Sequence, residues 1–238
     1  MINTSLEVIG YVRCDYKEKF GIPRQSGLTY YTTAFIEILP PYNQAEAFRG
    51  LDEFSHIWLL WDFSMAHKNV FTATVKPPKL GGNQKMGVFA TRSPFRPNNI
   101  GLSSVKLLDI IYNEENGCVH GLVVSGADIL DGTPVYDIKP YLPYTDSHPE
   151  ATGGWTDSLD IPKLAVCFSD DVAEKLSAIF SDAQLHALRE ILAQDPRPGY
   201  QDEPCRRYGM LYGGYDVRFT IERDLLTVCE VEAVQSSK

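Results

Sequence analysis

The sequence predicts a mainly β protein: a small antiparallel β-barrel in residues 1–150, followed by an α+β lobe in residues 151–238. Three observations carry that expectation. Between residues 5 and 140, short runs rich in β-branched and aromatic residues recur at close spacing, with no long helical pattern between them, which argues against a doubly wound parallel sheet. The stretch 148–158 is dense in turn residues and reads as a boundary. Only after it do apolar residues recur at clear helical spacing.

In chain order, strands are expected at 6–12, 34–39, 54–63, 86–91, 103–112 and 118–125. The last two are joined across Glu114-Glu115-Asn116-Gly117, whose Asn-Gly step between apolar runs is a hairpin signal. A short helix is expected at 44–48 with Asn43 as its N-cap. Beyond the boundary, a strand at 163–168 leads into a helix capped by Ser169, with Asp170 and Asp171 in the first turn, where they suit the helix dipole. Leu185, Leu188, Ile191 and Leu192 give a second helix, capped by Asp182. Strands at 213–222 and 225–231 close across Arg223-Asp224. About 75 residues make a marginal core by themselves, so this lobe is expected to dock on the barrel.

Composition bounds the function. With 44% hydrophobic and 22% charged residues the chain is an ordinary globular protein, not a disordered chain, a collagen or a coiled coil. Its strongest apolar cluster, Ile57-Trp58-Leu59-Leu60-Trp61, falls well short of the ~18 residues of a membrane helix. The charged first thirty residues do not read as a signal peptide. Five scattered cysteines without a CxxC pair suit a reduced, cytoplasmic chain without a metal site. A net charge of −9 excludes a nonspecific polyanion binder but leaves room for one locally basic face.

Such a face is suggested by charge distribution. The 46 residues from 63 to 108 contain no Asp or Glu but hold Lys68, Lys76, Lys79, Lys85, Arg92, Arg96 and Lys106. This stretch either meets an anion or polar ligand or consists of buried strands whose loops lack acids. Within it, Arg92-Ser93-Pro94-Phe95-Arg96-Pro97 is too proline-stiffened for a helix or central strand. Two guanidiniums and an aromatic on a rigid loop suit carboxylate or phosphate recognition and base stacking. A second dense patch, 128–141, carries Asp128, Asp131 and Asp137 with Lys139, Tyr136 and Tyr141, and its Asp131-Gly132-Thr133-Pro134 is a turn by composition. Asp195-Pro196-Arg197-Pro198-Gly199-Tyr200 and Pro23-Arg24-Gln25 are further rigid loops. His56, inside an apolar strand pattern, reads as a core residue. No GxGxxG, P-loop, HExxH or GxSxG is present.

Taken in order, Pro23-Arg24-Gln25, Pro41-Tyr42-Asn43-Gln44, Arg49-Gly50-Leu51, Phe54-Ser55-His56-Ile57-Trp58, Gly81-Gly82-Asn83, Gly87-Val88-Phe89-Ala90-Thr91-Arg92-Ser93, Phe95-Arg96-Pro97-Asn98, Asp131-Gly132-Thr133-Pro134-Val135 and Asp195-Pro196-Arg197-Pro198 resemble the TsaA-like (TrmO) family over nearly the whole chain. The resemblance implies a β-barrel that binds S-adenosyl-L-methionine and methylates N6 of N6-threonylcarbamoyladenosine beside the anticodon of threonine tRNAs, as a homodimer. It also implies cofactor contacts from Pro23, Arg24, Gln25, Ser64, Met65, Arg92, Leu102, Ile129, Leu130, Asp131 and Gly132. This chain departs from the family pattern at Ser64-Met65, where a His-Gln pair is expected; its own histidine, His67, is displaced.

The same reading makes Asp131 and Tyr141 candidates for the proton acceptor, and gives the threonyl carboxylate to Arg96 or Arg197. Lys76, Lys79 and Lys85 suit phosphates of the anticodon arm, and Tyr200 sits on the one lobe loop expected to touch RNA. Two other readings stay open: a non-catalytic sensor of S-adenosylmethionine or a modified nucleoside, and a hydrolase using Asp131 with His56 or His67.

Overall fold

The computed structural model describes residues 5–68, 70–80, 84–159, 163–197 and 206–234. In chain order the strands are β1 (Gly10–Cys14), β2 (Thr33–Ile38), β3 (His56–Asp62), β4 (Thr74–Val75), β5 (Met86–Gly87), β6 (Ile100–Tyr112), β7 (Val119–Ser125) and β8 (Pro134–Pro140), then β9 (Ala165–Phe168), β10 (Tyr208–Tyr212), β11 (Tyr215–Glu222) and β12 (Leu225–Ala233). The helices are α1 (Pro143–Asp146), α2 (Asp170–Ile179) and α3 (Asp182–Ala193). No helix among the described residues is long and apolar enough to cross a membrane.

Six strands close into the expected barrel in the order β1-β2-β7-β6-β3-β8, and every neighbouring pair is antiparallel. Alternation drives the closure: Ile57 and Leu59 on β3, Ile36 on β2 and Leu122 on β7 point inward and are fully buried. β6 is long enough to serve two partners. Ile100 to Lys106 pair with β3, and Lys106 to Tyr112 pair with β7. A bulge between Leu107 and Asp109 bends the strand where it changes partner.

The expected 114–117 hairpin is present, with Gly117 at φ 70°. Several expectations need correction. The strand at 86–91 ends at Gly87: Arg96 Nη1 and Thr91 Oγ1 both donate to the Val88 carbonyl, and 88–90 turn into a 3-10 helix, Val88–Ala90. The helix at 44–48 is a single 3-10 turn, Ala45–Phe48, entered from Gln44. Asn43 does not cap it; its carbonyl is held by the Val119 amide of the barrel. β8 was read only as a turn and polar patch, yet it is the strand that closes the barrel between β1 and β3. Pro134 is tolerated because it occupies the first strand position. His56 is exposed rather than in the core, its ring Nδ1 against Ser55 Oγ at 2.9 Å.

The second sheet has the order β10-β11-β12-β9, with β9 parallel to β12 and the rest antiparallel. Val172 and Leu176 of α2 and Leu188, Ile191 and Leu192 of α3 are buried with Phe219, Leu226 and Val228 of the sheet. α3 is capped by Ser181, not Asp182: Ser181 Oγ accepts from the Gln184 amide while Gln184 Oε1 accepts from the Ser181 amide. Gly213-Gly214, expected to open a strand, is instead the turn of a hairpin whose first strand, β10, the sequence reading lacked. This lobe does dock, but on the β1–β2 connection. Tyr16 belongs to its core, and Phe20 and Ile22 pack against it.

Candidate active site

Three connections meet at one end of the barrel: 15–32 between β1 and β2, 63–99 between β3 and β6, and 126–133 between β7 and β8. Together with the adjoining strand ends they enclose a cleft of about 670 Å³. That size and a mainly apolar lining with few polar groups are typical of a small-molecule site.

Its floor is a hydrogen-bonded chain. Gly101 lies opposite Trp61, and a Cβ at that position would run into the indole. The glycine therefore lets the ring lie against β6, where Trp61 Nε1 donates to Ser103 Oγ at 3.0 Å. Ser103 Oγ in turn donates to Asp128 Oδ1 at 2.5 Å. Burial holds the Asp128 carboxyl above the usual carboxylate range, against the opposing pull of the Ser103 hydrogen bond and the Arg92 charge. A second carboxylate, Asp62, ends β3 and is spent on neighbours. His67 Nε2 lies 2.8 and 3.0 Å from its two oxygens. Tyr136 is its other neighbour: burial, then the charge of Asp62 and a hydrogen bond to it, push that phenol's pKa up.

Cations and apolar groups line the same cleft. Arg92 Nη1 donates to Gln25 Oε1. Arg24 Nη2 donates to the Arg197 carbonyl at 2.9 Å, and burial lowers the Arg24 pKa against the opposing charge of Asp195. Pro23, Ser64, Leu102 and Leu130 complete this part of the lining. Met65 is exposed where it lines the cleft, and its carbonyl accepts from Lys19 Nζ at 2.7 Å. Phe95 also lines the cleft and carries Lys68 over its ring at 3.7 Å from the centroid.

The sequence-predicted residues thus divide. Pro23, Arg24, Gln25, Ser64, Met65, Arg92, Leu102 and Leu130 line one cleft. Ile129 is instead fully buried in the barrel core. Asp131 faces away, paired with Lys17 at 2.7 Å and accepting from the Cys14 amide, and Gly132 supplies the φ 73° turn behind it. Tyr141 stands behind Trp58, ring centroids 5.6 Å apart. Arg96 reaches the cleft, yet its Nη1 is occupied by the carbonyls of Val88 and Thr91. Arg197 forms a two-point pair with Asp195 and is largely buried, so its side chain is a loop brace. Lys76 and Lys85 are exposed. The side chain of Lys79, Tyr200 and the Gly81-Gly82-Asn83 motif lie outside the described residues.

Sequence reasoning missed Ser103, Trp61 and Asp62 in this cleft, and had Asp128 only as one of three carboxylates in the 128–141 patch able to hold a polar ligand or supply a base. A signal existed for Asp62, a carboxylate ending an otherwise apolar strand immediately before the acid-free stretch. Two family models match the chain: the tRNA-methyltransferase O N-terminal domain matches residues 11–147, and the TrmO C-terminal domain matches 161–234. The chain belongs to the tRNA-methyltransferase O family. Among relatives of this TrmO-family chain, an Escherichia coli K12 protein named tRNA (adenine(37)-N6)-methyltransferase is 41% identical over 226 residues, 93% of this chain and 94% of its own length. A Pseudomonas aeruginosa protein named as a candidate S-adenosylmethionine-dependent methyltransferase is 43% identical over 95% of this chain and 97% of its own. The crystal structure of TrmO from Pseudomonas aeruginosa superposes with a TM-score of 0.78 at 36% identity, covering 98% of this chain and 99% of that one.

Proposed function

We propose that this chain is an S-adenosylmethionine-dependent tRNA methyltransferase acting in the cytoplasm on N6 of N6-threonylcarbamoyladenosine at position 37 of threonine tRNAs. Family membership supports the reaction class, since relatives carry the name tRNA (adenine(37)-N6)-methyltransferase. The observation that carries the reading is one mainly apolar cleft lined by the Asp128 carboxyl, by Arg92, whose charge acts on it, and by Arg24.

That donor set fits the cofactor. S-adenosylmethionine combines a sulfonium, an α-ammonium and an α-carboxylate with an apolar-faced adenine. Arg24 and Arg92 suit the carboxylate, while Leu102, Leu130 and Pro23 supply apolar contact for the ring. When bound, the cofactor supplies an activated methyl group, so the protein needs only to bind, orient and shield the reactants.

On the substrate side, the N6 lone pair is delocalised into the purine and the carbamoyl group, so attack requires loss of the N6 proton. Asp128 is the group best suited to take that proton on its carboxylate. Burial brings its basicity nearer to neutrality, and Ser103 with Trp61 fixes its orientation. Asp131, held by Lys17, and Tyr141, behind Trp58, suit that task less well. The substrate carboxylate needs a cation, and Arg96, which reaches the cleft, is better suited than Arg197, braced by Asp195. A single-stranded anticodon loop is where an adenine can be splayed out for chemistry.

A homodimer is part of the same reading. Met65, Val70, Phe71, Phe89 and Leu102 are all more than half exposed on the segment that lines the cleft. An apolar group of that kind suits cover by a second copy. The deciding experiment is mass spectrometry of nucleosides from threonine tRNA incubated with the protein and S-adenosylmethionine. Gain of one methyl group on threonylcarbamoyladenosine, and none on tRNA lacking that modification, is the expected result. No gain despite demonstrated cofactor binding would overturn the reading.

A further inference from the structure

We propose that Glu190 of α3 is a positioning residue for the cofactor cleft: through it the C-terminal lobe sets the conformation of the loop that carries Pro23, Arg24 and Gln25. The proposal rests on the reading of that cleft as the S-adenosylmethionine site.

The β1–β2 connection spans residues 15–32 without a helix or strand. A connection of that length has no ladder to fix it, and ordering it costs roughly 1–2 kcal/mol per residue in backbone entropy. Its order must come from what it leans on. On the barrel side, the Gly27 amide bonds the Gly126 carbonyl and the Ser125 hydroxyl bonds the Tyr30 carbonyl. Further ties on that side are the Lys17–Asp131 pair, the Asp131 amide on the Tyr16 carbonyl, the Gly126 amide on the Thr32 carbonyl, Lys19 on the Met65 carbonyl and Arg92 on Gln25; a second set of anchors comes from the C-terminal lobe.

They run along the loop in sequence. Tyr16 is buried in the lobe's core. Glu18 accepts from the Leu211 amide at 2.8 Å, which ties the loop to the edge strand β10. At Gly21, φ 88°, a side chain would press on the Met210 thioether at 2.8 Å, so loop and lobe touch backbone to side chain. Arg24 itself donates to the Arg197 carbonyl.

Glu190 closes the far end. Its Oε2 accepts from two successive amides, Tyr30 N at 2.6 Å and Tyr31 N at 2.9 Å. The Tyr31 ring meanwhile stacks on His186, one turn back on α3, with centroids 4.8 Å apart. Two amides converging on one carboxylate are charge-assisted hydrogen bonds, stronger than neutral ones and specific in direction. Pro23, Arg24 and Gln25 lie between the Glu18 anchor and this one. Fixing both ends restricts where the Arg24 guanidinium can stand.

Releasing the second anchor lowers the fraction of molecules with a binding-competent loop, and apparent affinity falls by that fraction. In full-length protein, Glu190→Ala should therefore weaken S-adenosylmethionine binding by about tenfold in calorimetry and raise its KM alike. kcat at saturating cofactor should stay within about twofold, because binding re-forms the loop. Glu190→Gln keeps an oxygen acceptor for both amides and should recover most of the affinity. Hydrogen exchange should quicken at the Tyr30 and Tyr31 amides in the alanine variant and not in the barrel strands.

A role in lobe stability alone would lower Tm without this split between KM and kcat, and would overturn the proposal. So would equal cofactor affinity in wild type and Glu190→Ala. Failure of the wild type to bind S-adenosylmethionine would instead overturn the reading of the cleft, and this proposal with it.

Discussion

Asp128 shows what one buried carboxyl contributes and costs. Because burial raises its pKa, the folded state holds its proton more tightly than the unfolded chain does. The stability this lends is fully present below the ordinary carboxylate pKa and is lost as pH rises through the raised folded value. Asp128→Asn keeps an acceptor for Ser103 and never ionises. It should therefore melt above wild type at neutral pH, with the difference gone near pH 3, where the wild-type carboxyl is protonated in both states. Catalysis has the opposite requirement, because only the ionised form accepts a proton. Wild-type kcat should rise with pH through the raised pKa, whereas the asparagine variant should lose about a hundredfold in kcat together with that limb of the profile. A variant of unchanged kcat would remove Asp128 from the chemistry. Arg92 makes a different contribution. Arg92→Ala removes a guanidinium that faces the cleft and bonds Gln25, and should weaken cofactor binding about tenfold or more. Unchanged affinity in calorimetry would take Arg92 out of the site.

Strands explain why those residues meet and why only some were legible. Gly101 on β6 gives up its side chain to the Trp61 indole, so Gly101→Ala overpacks the barrel end beneath the cleft. Such a change should cost about 1–3 kcal/mol in urea denaturation and disturb the near-ultraviolet tryptophan band. A silent variant would show that the indole moves freely. β2, β3, β6 and β7 were readable because β-branched and aromatic residues run through each of them. β8 was not, because Pro134 and Pro140 bracket it and Asp137 and Lys139 make it look like a loop. In the lobe, α2 was legible from Ser169 and the acidic first turn and α3 from its apolar spacing, but the cap of α3 slipped by one residue because Ser181 and Asp182 are both good caps in sequence. Arg92 and the Pro23-Arg24-Gln25 loop were legible as proline-stiffened, cation-bearing loops, and the family resemblance grouped them as lining of one site. Asp128 was not singled out from its patch for a physical reason: three residues away, Asp131 has the same composition signal, and only closure of the barrel shows which one faces the cleft and which faces Lys17.

On the scale of the whole molecule, charge decides where RNA can lie. A chain of net charge −9 repels phosphate on average, so binding must use the surface from which acids are missing. That surface includes the small ribbon of β4 and β5, where Val75 pairs with Met86. Lys76 follows β4 and Lys85 precedes β5, both exposed, on the same connection that lines the cleft. The lobe offers no equivalent in its helices, since Asp170, Asp171, Glu174 and Asp182 make them acidic. If the anticodon arm rests its phosphates on the ribbon, each lysine releases about one counterion on binding. Lys76→Ala/Lys85→Ala should then flatten the logarithmic salt dependence of tRNA affinity by about two units, with cofactor affinity untouched, because neither side chain lines the cleft. A slope equal to that of wild type would move the tRNA off this ribbon. It would leave the acid-free stretch to serve the cleft and the cover over its exposed aromatic side chains, so that the same forty-six residues would answer to a second copy of the chain and not to RNA.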